Sequence, residues 1–273
     1  MNHSKALLIA IFTLIVTVLS SDCVGQTSDQ ERWTYSVGMG MATAPSYLGD
    51  DEYQLLLFPF FSARYGDKFF ASFFEGVGYN LLHTNTWRVG PILKTNIGRF
   101  EDGTVPASIT GKTNDLTGLG DVGFTVEPGA FIEYTKASIT TKFELRKGIG
   151  GHKGLIGDIS TYYRSTFKLN EKVIYYAVGP DMRITGSNFN NAFFGINPEQ
   201  SSKTELELYD AGSGVLWYGL SGSLIVPIDQ KLSATALIRY SKLGKVASDA
   251  HLIRKSGSAH QSTIGFMVNY KLR

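Results

Sequence analysis

From Trp33 to Met41 the chain alternates between two kinds of residue. Trp33, Tyr35, Val37, Met39 and Met41 take the odd positions, and Thr34, Ser36, Gly38 and Gly40 stand between them. The last stretch repeats the scheme, with Ile264, Phe266, Val268, Tyr270 and Leu272 on one side and Gly265, Met267, Asn269 and Lys271 on the other. Residues 139–146 sort Ile139, Thr141, Phe143 and Leu145 from Thr140, Lys142, Glu144 and Arg146. From Val122 to Tyr134 the even positions are apolar, while the odd ones include Glu127, Gly129 and Glu133. Successive side chains of a strand point to opposite faces, so a period of two predicts strands with one apolar and one polar face. No segment after residue 25 has a comparable helical period, and the chain reads as all-β.

Alternation alone leaves open whether the apolar face meets a protein core or lipid. Strands of soluble sheets average about 5–6 residues, whereas the patterns here run for about 9 to 15. Nine or ten residues at about 3.3 Å each, tilted by about 45°, cross the ~25 Å apolar band of an outer-membrane barrel. The polar face, rich in Gly, Ser and Thr with scattered Glu, Lys and Arg, suits a lumen better than a soluble surface. The expectation is a transmembrane antiparallel up-and-down β-barrel of about 10–12 strands. The strands fall near 33–42, 53–65, 68–82, 87–99, 121–134, 137–147, 155–169, 173–185, 203–210, 214–227, 231–243 and 261–272. Short turns are expected at Gly66-Asp67, Thr135-Lys136 and Asp229-Gln230, and longer connections at 43–52, 100–120, 186–202 and 244–260. Long and short connections should alternate in such a barrel; this division does not quite do so, and the stretch 203–210 fits least. Trp33, Trp87 and Trp217 lie near strand ends and are candidates for interfacial girdles.

Composition narrows the classes further. Among 273 residues, 26 Lys and Arg face 24 Asp and Glu, so a net charge of +2 gives no field suited to nucleic acid. Charged residues make up 18% of the chain, below the roughly 25% of soluble globular proteins. The apolar content excludes disorder, and the glycines have no collagen period. At the start, Lys5 precedes an apolar run from Ala6 to Leu19, with Ser20, Ser21 and Gly25 as small residues beyond it. This reads as a signal peptide, residues 1–25, cleaved on export to leave residues 26–273 as one barrel domain. Such a cut removes Cys23, the sole cysteine, so neither a disulfide nor a thiolate zinc site is expected. As a lipid-anchor cysteine Cys23 would follow Asp22, where a small residue is wanted. No other apolar run approaches the ~18 residues of a membrane helix.

The motifs that could carry chemistry read mostly as structure. Gly118-Leu119-Gly120-Asp121-Val122-Gly123 matches the dinucleotide fingerprint, but a polar loop precedes it and a strand, not a helix, comes after it. Gly148 to Gly154 is Gly-rich without phosphate-loop spacing. His83, His152, His251 and His260 sit in or beside loops at no ligand spacing. A His–Ser pair could cleave esters, and His152 with Ser138 or Ser160 is the candidate, against the plainer reading of a histidine supporting a glycine turn. Asp50, Asp51 and Glu52 could offer oxygens to calcium or form a solvated acidic loop. No catalytic, cofactor-binding or metal residue is assigned, and neither a cofactor nor a nucleotide is expected.

A series of short motifs runs in order along the mature chain. They are Pro45-x-Tyr47-x-Gly49, Gly90-Pro91, Gly98-Arg99, Gly118-Leu119-Gly120, Glu127-x-Gly129 and Gly151-His152-x-Gly154, then Gly179-Pro180, Asn191 to Ile196, and Tyr209-x-Ala211-Gly212-x-Gly214. In these the chain resembles the MipA/OmpV family, although it ends Tyr270-Lys271-Leu272-Arg273 rather than on the usual aromatic residue. The resemblance implies an outer-membrane barrel of a Gram-negative bacterium with outer-membrane lipid around it, and it brings no catalytic residues. It also implies a non-enzymatic scaffold whose periplasmic side docks peptidoglycan-remodelling enzymes, a lytic transglycosylase and a peptidoglycan synthase. Other family members are associated with adhesion or antibiotic response. Two alternatives stay open: a narrow pore for small solutes, and a membrane lipid hydrolase built on His152.

Overall fold

A computed structural model describes residues 32–272; the expected signal segment and Cys23 lie outside the described residues. The elements are β1 (Trp33–Pro45), β2 (Tyr53–Tyr65), β3 (Phe69–Ser72), β4 (Gly76–Tyr79), β5 (Leu82–His83), β6 (Trp87–Asn96) and β7 (Thr125–Lys136). They continue with β8 (Ile139–Lys147), β9 (Ile149–Gly150), β10 (Leu155–Leu169), β11 (Lys172–Thr185), β12 (Gly214–Pro227), β13 (Leu232–Leu243) and β14 (His260–Lys271). Four short helices, α1 (Ser187–Phe194), α2 (Pro198–Lys203), α3 (Lys245–Ser248) and α4 (His251–Ser256), occupy two of the connections. Setting aside the two-residue strands β5 and β9, twelve antiparallel strands form one closed ring. The first strand pairs with the last from Ser36↔Lys271 to Thr43↔Ile264, and β6 pairs with β7 over its whole length.

Two expected strands are corrected. The stretch 68–82 is a hairpin of two four-residue strands, because Phe73, Phe74 and Glu75 turn the chain halfway up the wall. The stretch 203–210 is no strand: α2 ends there and the chain continues without a ladder, apart from one bridge between Ile196 and Tyr209. Asn197-Pro198-Glu199-Gln200 is a capping box with proline at the helix start, so local chemistry commits this segment to a helix. The Thr135-Lys136 turn also moves, to Ala137-Ser138, with Ala137 at a positive φ of 51°. With these changes the connections divide by end. Short turns at 66–68, 137–138, 170–171 and 228–231 lie at one end of the barrel, and the long loops 97–124, 186–213 and 244–259 at the other.

The short β3–β4 hairpin would leave the upper edge of β2 bare. The long loop fills it: Leu57 N–H donates to Ala107 O at 2.9 Å, and Ile109 N–H donates to Leu55 O at 2.9 Å. This borrowed strand keeps the edge paired, as a wall facing hydrocarbon requires.

The outward face carries the bulky residues, among them Met41, Leu57, Phe61, Leu145, Ile238, Ile264 and Phe266, all exposed from the protein. Trp33 packs with Tyr35, Tyr65 and Phe69, and Trp87 with Tyr134, as an aromatic girdle at the short-turn end. Trp217 departs from expectation and points inward. It shares the inward face of Ser221 and Ser223 and lies against Arg183 and Arg239, and a register shift between Arg183 and Ile184 adds Leu216 as an extra buried residue just before it.

This orientation has a direct test. Ile238→Arg, in the middle of a lipid-facing strand, is expected to destabilise the barrel by about 2–4 kcal/mol, and Tyr270→Arg near the rim by about 0–1 kcal/mol. Urea unfolding in lipid vesicles reads the difference, and equal effects would contradict a lipid belt.

Candidate functional site

The inward faces of β6, β7, β8, β10 and β11 meet in one ionic network. Antiparallel register sets Lys94 opposite Glu127 and Arg183 opposite Asp158, while the facing carboxylates Glu144 and Asp158 are bridged by Arg146. At the centre Arg146, fully buried, reaches three carboxylates: Glu127 from Nε at 3.1 Å, Glu144 from Nη1 at 2.5 Å, and Asp158 from Nη2 at 2.7 Å. Lys94 and Lys142 each lie 2.7 Å from Glu144, and Arg183 holds Asp158 at 2.6 Å. A second group gathers on Asp181, which accepts from Arg239 at 2.6 Å, Ser221 at 2.8 Å and Tyr162 at 3.1 Å. Buried charge is tolerated when it is paired and hydrogen-bonded, and here neighbouring strands supply each ion with a partner.

The lumen is not polar throughout, as the alternation suggests it should be. β2 is apolar on both faces, and Leu56, Phe58 and Phe60 point inward to pack with Phe73, Phe74, Val105, Leu237 and Met267. A second apolar cluster lies under the long loops, where Phe189 and Phe194 of α1 and Leu252 and Ile253 of α4 pack on Leu116, Leu216 and Trp217. Between the two clusters is a cavity of about 140 Å³ lined by Leu56, Arg99, Phe100, Val105, Phe193 and neighbouring residues. At the other end a vestibule of about 380 Å³, lined by Arg64, Glu75 and Lys231 among others, opens toward the short turns.

His152 is placed by the Gly148–Gly154 loop, where Gly150 takes a φ of +116°. Its Nδ1 accepts the Gly154 N–H at 3.1 Å, which leaves the proton on Nε2, 3.1 Å from the Glu127 carboxylate. The ring lies edge-on to Phe189 and is fully buried. Neither Ser138 nor Ser160 bonds to it, and its one lone pair is already taken. The ester-cleaving arrangement therefore lacks a free base, and His152 ties the glycine loop to the ionic network.

The other candidates stay apart. Gly118 and Gly120 adopt φ values of +88° and +71° in a loop that leads into β7, with no helix to receive a phosphate. A Cβ on Gly98 would run into the Val122 carbonyl, which explains glycine beside Arg99. Among the described residues no group of three acidic, histidine or cysteine side chains could hold a metal. Asp50 is instead a buried turn residue: its Oδ1 accepts the Glu52 N–H at 3.0 Å, and its Oδ2 has no hydrogen-bond partner. Burial raises its carboxyl to about 6. Alternation places Glu127, Glu144 and Arg146 on polar faces but does not join them. The available signal is charge on the same face of consecutive strands. Arg99 stands out in the sequence only as half of a Gly-Arg motif.

A family model described as MltA-interacting protein MipA matches residues 37–272. No curated protein sequence matches the chain. Among solved structures, the chain is similar to a bacterial polysaccharide outer membrane secretin at 9% identity, covering 88% of this chain and 98% of that one with a TM-score of 0.39. It is similar to the NanC porin at 10% identity, covering 88% and 100% with a TM-score of 0.38. It is also similar to the outer membrane protein OmpT of Vibrio cholerae at 9% identity, covering 91% and 100% with a TM-score of 0.32.

The geometry has two measurable consequences. Arg146→Met leaves three buried carboxylates short of a partner and is expected to cost about 3–5 kcal/mol in unfolding free energy, measured by urea titration. The raised Asp50 carboxyl favours the folded state below pH ~4, and this contribution is lost as pH rises through about 6. Asp50→Asn should therefore be more stable than the parent at pH 7.5, with the advantage shrinking to nothing by pH ~4. Paired thermal unfolding curves at the two pH values check the sign.

Proposed function

The chain belongs to the MltA-interacting protein MipA family, and from that premise we propose that this outer-membrane barrel is a non-enzymatic scaffold that docks peptidoglycan-remodelling enzymes on its short-turn end. The observation that carries the reading is the filled lumen. Arg146 and its three carboxylates are buried along the β7–β8–β10 wall, and Leu56 and Phe58 are buried inside β2, so the barrel reads as a filled frame whose working surfaces are its rims. Short turns face the periplasm in outer-membrane barrels, which puts this rim opposite the cell wall.

That rim has a sign. Lys68, Lys136, Lys168, Lys172, Lys231 and Lys271 are exposed there among the described residues, against Asp67, Glu171 and Asp229. A surplus of lysine at a rigid rim suits a partner with an acidic surface and speeds its encounter at low salt. The family's name points to a lytic transglycosylase as the first such partner, and a peptidoglycan synthase, which the resemblance implies, would be the second. A signal peptide cleaved near residue 25 would deliver the chain to this membrane.

The test is direct binding. The purified barrel in non-ionic detergent should capture a lytic transglycosylase of the MltA class. Replacing Lys136, Lys172 and Lys231 together with Glu should weaken capture by about tenfold or more, with the loss larger at low salt. Absence of capture by the parent protein, or capture unchanged by charge reversal, would remove the scaffold reading. Stepwise conductance in planar bilayers would favour the pore instead.

A further inference from the structure

The cavity of about 140 Å³ under the long loops contains an electrostatic imbalance. Its described lining includes two guanidinium groups, Arg99 and Arg183, and no carboxylate. Arg183 is satisfied, since it holds Asp158 through Nε at 2.6 Å and Nη2 at 3.0 Å. Arg99 is not. It is 7% exposed, donates through Nη1 to the Phe193 carbonyl at 2.6 Å and through Nη2 to the Gly120 carbonyl at 3.5 Å, and its Nε has no partner. Glu101 and Asp121 lie close enough to influence it, but neither forms an ion pair with it. Glu101 accepts the Gly118 N–H, and Asp121 accepts the Glu101 N–H.

A buried cation whose hydrogen bonds go only to neutral carbonyls is costly unless an anion joins it. The surrounding surface says which anion. Leu56, Phe100, Val105, Leu116, Phe193 and Phe194 give the wall a large apolar share, so a hydrated inorganic ion would lose water to carbon. A cavity of about 150 Å³ lined by apolar side chains accommodates benzene, which sets the size of the apolar body. The Thr104 side of the lining is exposed and gives a mouth toward the long-loop end.

We propose that this cavity is a binding site for a small apolar carboxylate, of the size of benzoate or a short-chain fatty acid, with Arg99 pairing the carboxylate and the Phe100–Val105–Phe193 wall holding the hydrocarbon. Burial lowers the Arg99 guanidinium to about 10, the direction expected of a cation without a counter-charge, yet it stays protonated at neutral pH. The site stands independently of the scaffold reading, because it occupies the opposite end of the barrel from the lysine rim.

The experiment uses the whole barrel in a non-ionic detergent, titrated calorimetrically with benzoate, benzyl alcohol and acetate. Benzoate should bind saturably and about tenfold or more tighter than either benzyl alcohol, which has the ring without the charge, or acetate, which has the charge without the ring. Arg99→Met should lower benzoate affinity by about tenfold or more while leaving benzyl alcohol unchanged. Val105→Phe, which fills the cavity, should abolish both. Equal affinity of the parent protein for benzoate and benzyl alcohol would overturn the proposal without any variant having to fold. So would tight benzoate binding that survives Arg99→Met.

Discussion

Hydrocarbon offers a backbone amide nothing to bond with, so a membrane wall made of strands must return to its own first strand. Every other feature of this protein depends on that closure. The pairing of β1 with β14 fixes the register of the whole ring, and register decides which side chains stand opposite one another inside. Where the β3–β4 hairpin stops short, the requirement does not relax. Residues 107–109 leave the long loop and bond to β2 in its place.

Closure also creates an interior that something must fill. Twelve strands enclose a wider lumen than the eight-strand barrels that side chains just fill. Two kinds of filling coexist here. On the β6–β11 side, Arg146 and its neighbours form an ion network in which each charge meets at least one of opposite sign. Near β2, aromatic and aliphatic residues close the space as they would in a soluble core. Between this filling and the apolar cluster under the long loops packing leaves a void, and Arg99 stands at it without a carboxylate. A rigid plugged frame directs functional interest to its two ends, a lysine-rich rim of short turns and a loop cap with a small cavity beneath it.

Much of the wall was legible in the sequence because alternation is a local property. Met39 and Met41 outward with Gly38 and Gly40 inward, or Phe143 and Leu145 outward with Glu144 and Arg146 inward, need no knowledge of the partner strand. Alternation failed where local pattern carried no single answer. Tyr53 to Tyr65 is apolar on both faces, so nothing in it says that Phe58 belongs inside. Residues 68–82 have strand character throughout, and only packing of Phe73 and Phe74 against Phe58 and Phe60 shows where the chain turns. Trp217 faces the lumen rather than the membrane interface because it stands on the same face as Ser221 and Ser223, and being near a strand end does not say which face a residue takes. The helix at 198–203 did have a local signal, its capping box, and that signal outweighs the weak strand character of residues 204–210.

The candidate chemistry divides in the same way. The sequence by itself determined the fold class, the lipid-facing surface and the outcome for the glycine motifs, since each depends on neighbours along one strand or loop. Tertiary structure alone decided that Glu127, Glu144 and Asp158 converge on one guanidinium, that the His152 lone pair is spent on Gly154, and that Arg99 lacks a counter-charge. These facts concern groups brought together from different strands and loops, and distance in space between such groups is set by barrel closure, which no local pattern encodes.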